Sequence, residues 1–305
     1  MEIIYQGKDI TQYVIVRTCV ARDTAGGRCD SLEIEFENAE GWEAWGPEED
    51  DTIRITHDGY DTGILYVNTV LPEGGNYRIA ATALPCKARK KQNRSFYKKT
   101  IGEILRSCAM ASSMDYALFG VDGKTVIPYI QQENESAASF LNRLLTREGA
   151  ALKCVNGKYT AIGLAWAQEQ EAGQTVEIRA SQTGTNYRRS GNKMRSLTVR
   201  TPYASATATD ADVPSTHISE VIGDTEALDN IQAGRWAHGL LLDKNRRCQE
   251  LRLENEFNPG FTAMTRIDVT GGTDATGQWL IEQAEHDFIN KTSTVWMHRC
   301  ILTIR

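Results

Sequence analysis

Asn258-Pro259-Gly260-Phe261 opens the stretch that decides the fold. It leads into strand-like residues 265–270, then Gly277-Gln278-Trp279-Leu280-Ile281, then His286-Asp287 and a last strand running to Arg305. Pro and Gly punctuate turns, whereas alternation of apolar and polar residues marks half-buried strands. The stretch therefore reads as a turn followed by three amphipathic strands, so the chain closes on β-sheet and not on a catalytic loop. The same plan occurs earlier, where Asp51-Thr52-Ile53-Arg54-Ile55 passes through Gly59 into Thr62-Gly63-Ile64-Leu65-Tyr66-Val67. Two occurrences of one plan, without an exact sequence repeat, predict two similar β modules. A structural role is expected ahead of an enzymatic one.

A chain of 305 residues can hold one large domain or two to three ordinary ones, each with a sizeable core. Its apolar runs fall far short of the ~20 residues a membrane-spanning helix needs. Met1-Glu2-Ile3-Ile4-Tyr5 lacks the basic and apolar regions of a secretory signal, so synthesis in the cytoplasm and no membrane partner are expected. A net charge of −6 argues against a general nucleic-acid binder, which is usually basic. The seven cysteines (Cys19, Cys29, Cys86, Cys108, Cys154, Cys248 and Cys300) are scattered, odd in number and without a CxxC pair. Reduced, mostly buried thiols are expected, not disulfides.

Along the chain, Ser31-Leu32-Glu33-Ile34-Glu35-Phe36-Glu37 alternates strictly, with an apolar inner face and an acidic outer one. Residues 51–56 and 77–83 repeat the pattern, with Gly59 and Gly74-Gly75 as turns, which suggests a sandwich or small barrel. A basic run follows: Lys87, Arg89, Lys90, Lys91, Arg94, Lys98 and Lys99. It ends at Thr100 and Glu103, a capping-box pair that predicts a helix with Ile101, Ile104, Leu105 and Cys108 inside. A second helix is predicted over 136–148, burying Ala137, Phe140, Leu141, Leu144 and Leu145 and ending at Gly149. Asn156-Gly157 supplies the positive φ angles of a hairpin between 151–155 and 158–162. Further on, strands are predicted at 175–179 and 196–200, a loop at 201–214, and a helix over 224–243 with Leu228, Ile231, Trp236 and Leu240 near its buried side. Strand 250–257 alternates Leu251, Leu253 and Phe257 against charged neighbours. The last strand, 294–304, places Trp296, His298, Cys300, Leu302 and Ile304 on one face.

The search for chemistry returns no catalytic, cofactor-binding or metal residues. There is no GxSxG, and no cysteine sits in a protease context. The histidines (His57, His217, His238, His286 and His298) lack HExxH spacing. His298 and Cys300 share a strand face, but two ligands make no metal site, and core packing is the better reading. His286-Asp287 is read as stabilising a turn. Glu48-Glu49-Asp50-Asp51 lacks the pattern of a calcium loop and reads as a solvated segment. The basic run, with Phe96 and Tyr97 interleaved, could contact phosphates and stack bases; a solvated or subunit-facing rim is preferred. Trp42 and Trp45 could stack on a sugar, although anchoring a loop is the commoner use of such aromatics. Gly271-Gly272 lacks the following helix of a phosphate cradle.

In the order of its parts the chain resembles the baseplate hub proteins of contractile phage tails, the late control protein D family, and the first part of type VI secretion spike proteins. Four places carry the likeness. The first is Ser31–Glu37 followed by Trp42-Glu43-Ala44-Trp45 and Asp51-Thr52-Ile53-Arg54-Ile55. The second is Thr100-Ile101-Gly102-Glu103-Ile104-Leu105. The third is Gln131-Gln132-Glu133-Asn134-Glu135-Ser136 through Phe140-Leu141-Asn142-Arg143-Leu144 to Gly149-Ala150-Ala151-Leu152-Lys153. The fourth is Asn258-Pro259-Gly260 with Gly277-Gln278-Trp279-Leu280-Ile281 and His286-Asp287.

The resemblance implies an α+β, β-dominated chain with two tail-tube-like antiparallel β-barrels: a first module at 1–85, a small α/β insert of two helices plus a hairpin at 86–165, and a second module at 166–305. Part of 174–200 is left open to return to the first barrel. The implied function is that of a non-enzymatic, homotrimeric adaptor joining a hexameric tail tube to a trimeric spike, the spike being a separate polypeptide. Tape-measure and other baseplate proteins would be further partners, the virion tail or injection-particle baseplate the final location, and DNA in the lumen the only nucleic acid met. No cofactor is implied. The alternatives are a glycan-binding tail module using Trp42 and Trp45, and, behind it, a wall hydrolase.

Overall fold

Period-two alternation becomes strand wherever it is clearest. In the computed structural model, which describes all residues except 38–40, 42–43, 180–183, 302–303 and 305, the N-terminal module is built from β1 (Glu2–Tyr5), β2 (Lys8–Asp9), β3 (Val16–Thr24), β4 (Ser31–Glu37), β5 (Thr52–His57), β6 (Tyr60–Asp61), β7 (Leu65–Glu73) and β8 (Asn76–Thr82). All pairings are antiparallel, in the order β3-β4-β8-β7-β5-β1-β2, with β6 against β5. Leu32, Ile34 and Phe36 of β4 are fully buried. Glu33, on its outer face, pairs with Arg22 and Arg78 at 2.9 and 3.0 Å.

The insert begins with α1 (Cys86–Arg89), β9 (Lys91–Thr100), α2 (Ile101–Ser112), β10 (Asp115–Phe119) and β11 (Val126–Ser136). It continues through α3 (Ala137–Arg147), β12 (Ala150–Val155), β13 (Lys158–Gly163) and α4 (Leu164–Glu169). Helix α2 starts where the capping box predicts: the Thr100 hydroxyl accepts from the Glu103 amide, and the Glu103 carboxylate accepts from the Thr100 amide. The Ser136 hydroxyl caps α3 in the same way by accepting from Ser139 N at 3.2 Å. The β9–β11 ribbon is antiparallel, and β12–β13 is the Asn156-Gly157 hairpin, to which β10 adds in parallel.

The C-terminal part comprises β14 (Gln174–Glu177), β15 (Thr185–Arg189), β16 (Ser196–Arg200), β17 (Ser205–Thr209), β18 (Ser219–Ile222), α5 (Asn230–Arg246), β19 (Gln249–Glu256), β20 (Arg266–Thr270), β21 (Gly277–Asp287) and β22 (Thr292–Arg299). Strands β14 and β20 pair in parallel; β20-β21-β22-β19-β15 are antiparallel neighbours. Together they curl around Phe261, Ile267, Trp279, Ile281, Leu251, Leu253 and Val295. Fully burying a side chain such as Phe261 contributes about 3 kcal/mol. The fold is thus β-dominated, with large curled antiparallel sheets and a few helices, in line with the β-dominated class the resemblance implies.

Several expectations need correction. Of the strands between 174 and 200, β14 and β15 pair with β20 and β19 and pack Val176 and Tyr187 on the second core, whereas β16 pairs with β17 and β18 and buries Leu197 and Val199 in the core shared with the first module. Residues 201–214 are not all loop: the Ser-Ala-Thr-Ala-Thr alternation of β17 pairs with β16, burying Ala208. Helix α5 starts at Asn230, not 224, because the Asp229 carboxylate caps it by accepting from Gln232 N at 2.7 Å. Its buried face is Ala233, Trp236, Ala237 and Leu241, whereas Ile231 is 75% exposed. The sheet β17-β16-β18 and α5 pack on the insert and share the first module's core. Gly239 explains the close fit: a Cβ there would lie 2.2 Å from the Arg147 carbonyl oxygen, so α5 can approach the end of α3 only without a side chain. The last strand ends at Arg299; Val295 and Met297 face the core and Trp296 and His298 the opposite side, while Leu302 lies outside the described residues.

Candidate functional site

The two modules meet along one edge, and that junction is where the chain concentrates its polar chemistry. Strand β3 pairs with β21 from Val20↔Asp287 to Thr24↔Gln283, which merges both modules into a single sheet of 14 strands. A β-bulge between Ile281 and Gln283 lies at the end of this pairing. Across it, Arg22 reaches from the first module to Glu285 of the second at 2.8 Å.

Beneath that edge lies a buried ion cluster. Lys153 of β12 donates to Asp23 of β3, and to Asp30 at 3.3 Å. Asp23 also accepts from Ala263 N of the second module at 3.1 Å, and Asp30 from Thr24 N at 2.8 Å. One cluster thus ties together the first module, the insert and the second module. Burial pushes the Asp30 carboxyl up to about 7; Lys153 opposes this and Asp23 adds to it. Burial works against the Lys153 ammonium, but the two carboxylates hold its pKa above the usual lysine value. Two carboxylates facing one ammonium make the site a lock that hinges on Lys153: its removal strands buried carboxylate charge, whereas removal of one carboxylate leaves a matched pair.

A third contact is aromatic. His57 and Tyr60 of the first module pack on Phe257, His286 and Phe288 of the second, with Tyr60 and His286 centroids 4.3 Å apart. His286 Nε2 lies 3.0 Å from the Phe261 carbonyl oxygen, so this nitrogen carries the proton and Nδ1 accepts from the Ser293 hydroxyl at 2.9 Å. Burial lowers the His286 pKa below its ordinary value. Asp287 accepts from Ile289 N and Asn290 N at 3.0 and 2.9 Å, the turn-stabilising role expected of the pair, whereas His286 serves the junction and not the turn.

The other residues singled out in the sequence are accounted for by packing. Burial raises the thiol pKa of Cys108 to about 11 and of Cys300 to about 12, and raises those of Cys19, Cys29, Cys154 and Cys248 as well, which disfavours a nucleophilic thiolate. Among the described residues no three His, Cys, Asp or Glu side chains are grouped to hold a metal, and no helix is long and apolar enough to cross a membrane. In the acidic run, Asp51 accepts from Tyr5 at 2.7 Å, Asp50 from Cys86 N at 2.6 Å, and Glu49 from Arg89 at 2.7 Å. These carboxylates anchor a loop. In the basic run, Phe96 is buried and stacked on Phe140, Arg94 donates to Gln132 at 2.8 Å and Lys99 pairs with Glu103 at 2.9 Å; Tyr97 stays exposed. Trp45 lies 6.1 Å from the Tyr5 ring, while Trp42 lies outside the described residues. Gly271 is a turn glycine with φ 112°, where a Cβ would sit 2.1 Å from the Ile178 carbonyl oxygen. The ion cluster was missed in the sequence because Lys153 lies more than a hundred positions from Asp23 and Asp30 and no motif joins them. A lysine inside the otherwise apolar strand Ala150–Val155 was the one available signal.

No family model matches the chain, and no curated protein matches its sequence. Solved structures do match. The 43 kDa tail protein of prophage MuSo2 from Shewanella oneidensis superposes with a TM-score of 0.74 at 13% identity, covering 98% of this chain and 97% of that one. A tail protein from Neisseria meningitidis gives 0.77 at 9% identity, over 98% and 95%. A type VI secretion component of Escherichia coli, itself structurally similar to bacteriophage T4 tail proteins, gives 0.63 at 12% identity, over 99% and 78%. Over nearly its whole length the chain has the fold of these phage and prophage tail proteins.

Proposed function

We propose that the chain is a structural, non-enzymatic hub of a contractile phage tail or related injection particle, a homotrimer that joins a hexameric tail tube to a trimeric spike. The observation that carries this reading is the single sheet running through both β modules of a chain that matches tail proteins end to end. Three copies, each with two similar modules, supply six quasi-equivalent β units on the tube side and three on the spike side. A closed assembly needs self-consistent interfaces, and a duplicated module reconciles sixfold with threefold symmetry. Ring closure would also cover strand edges that otherwise invite aggregation. The lock of Lys153, Asp23 and Asp30 suits a part that bears load, because it ties both modules to the insert. The spike, the tube, the tape-measure protein and other baseplate proteins are the partners this role requires, and the virion tail its place.

The test is the mass in solution by light scattering, for the chain alone and co-expressed with the spike of the same particle. Three copies per complex in either sample supports the hub; a strict monomer in both, with no spike retained, overturns it.

A further inference from the structure

The second module carries a cleft of about 750 Å³ on the outer face of β19, β21 and β22, bounded by the loop after β3 and the end of α5. Four arginines line it, Arg28, Arg188, Arg247 and Arg252, against two carboxylates, Glu250 and Glu282. Glu282 is already neutralised from behind: buried Arg246 donates to it, and His298 Nδ1 lies 3.0 Å away. Arg188 and Arg252 hold only loose partners, Glu250 at 3.5 Å and Glu254 at 3.2 Å, on exposed side chains. Arg28 makes no ion pair among the described residues. The floor is Trp296 with the Arg252 guanidinium 5.6 Å above its ring, and His298, 1% exposed, has no hydrogen-bond partner for Nε2 among the described residues. Arg247 pairs loosely with Asp243 at 3.6 Å, so in a protein of net charge −6 the cleft keeps a local excess of weakly held arginine.

At its lip runs β15. It is the terminal strand of the 14-stranded sheet and pairs only with β19, so its other edge is open among the described residues. Asn186 and Arg188 of β15 point to the cleft while Tyr187 points to the core.

We propose that this cleft and the free edge of β15 bind an extended acidic segment of a partner polypeptide. A peptide added as a strand gains main-chain hydrogen bonds from the open edge, and its alternate side chains fall on one face, roughly 6.6 Å apart. Carboxylates at that spacing can meet Arg188 on β15 and, one strand further in, Arg252 on β19. A nucleic-acid strand fits less well: every nucleotide carries a phosphate, so an unbroken row of negative charge would meet Glu250 as well as the arginines.

The experiment is fluorescence anisotropy at low salt with the full chain and a labelled Glu-Thr-Glu-Thr-Glu-Thr-Glu peptide. Saturable binding is expected, weakened at least tenfold in Arg188→Glu and in Arg252→Glu. Both side chains are exposed, so both variants should keep the wild-type melting temperature. N-methylation of alternate peptide amides should also weaken binding at least tenfold. Absence of saturable binding overturns the proposal, as does affinity unchanged by both charge reversals or by N-methylation. Equal or tighter binding of a seven-nucleotide oligothymidylate overturns it in favour of a general polyanion site.

Discussion

The first β module and the second carry sheets of the same kind, yet they are held together in different ways. The core of the first runs without a break into the insert and on to Trp236 and Leu241 of α5. The core of the second is its own, closed around Trp279, Phe261 and Ile267. The second module joins the rest of the chain through the β3–β21 pairing, the Lys153 cluster, the aromatic contact of Tyr60 with His286, and a small apolar cluster in which Ala263, Met264 and Leu280 pack with Ile162, Leu164 and Leu242. A separate core with an edge attachment can be loosened as a unit, whereas a wound in the first core should spread through the insert.

The largest expected effect comes from breaking the second core. Trp279→Ala should cost about 4 kcal/mol, with hydrogen-exchange protection lost in β19 to β22 and retained in β4 and β8. Loss spread evenly over both modules would remove the contrast. Next is the lock. Lys153→Met strands two buried carboxylates and should cost about 3 kcal/mol, read as a lower midpoint in urea, with protection lost first along β3 and β21. A smaller effect tests the first core: Thr100→Ala removes the cap of α2 and should cost about 1 kcal/mol. Its loosening should reach β9 and leave the second module untouched.

The smallest effect is a slope. The Asp30 carboxyl is raised from 3.8 to about 7, chiefly by burial. The folded chain thus binds this proton more tightly than the unfolded one. The stabilisation is complete below the unfolded value and is lost as pH rises through about 7. Buried His286, lowered from 6.5, acts the other way: its contribution is present above that value and lost as pH falls. Asp30→Asn should therefore leave a melting temperature that rises more steeply between pH 4 and 7 than the wild type's. An unchanged profile would show that Asp30 does not titrate in this window.

What the sequence made legible follows the range of the forces concerned. The strand Ser31–Glu37, the Thr100 and Glu103 cap and the Asn156-Gly157 turn are set by neighbours along the chain, and all three stand where they were expected. The start of α5 was misplaced because several polar residues before it could cap a helix, and Asp229 prevailed. Trp296 and His298 share one face of β22 as expected, with His298 buried, but the strand stops at Arg299 and does not run on to residue 304. The Lys153 cluster and the arginine cleft join residues more than a hundred positions apart, which no local pattern announces.

The central claim, that two modules per chain turn threefold into sixfold symmetry, is tested most directly by a cryo-EM map of the assembled tail tip. The account predicts three copies of this chain presenting six β modules in one ring at near-equal angular spacing, seated against the tube. A ring in which only one module of each chain takes part, or a copy number other than three, would contradict it.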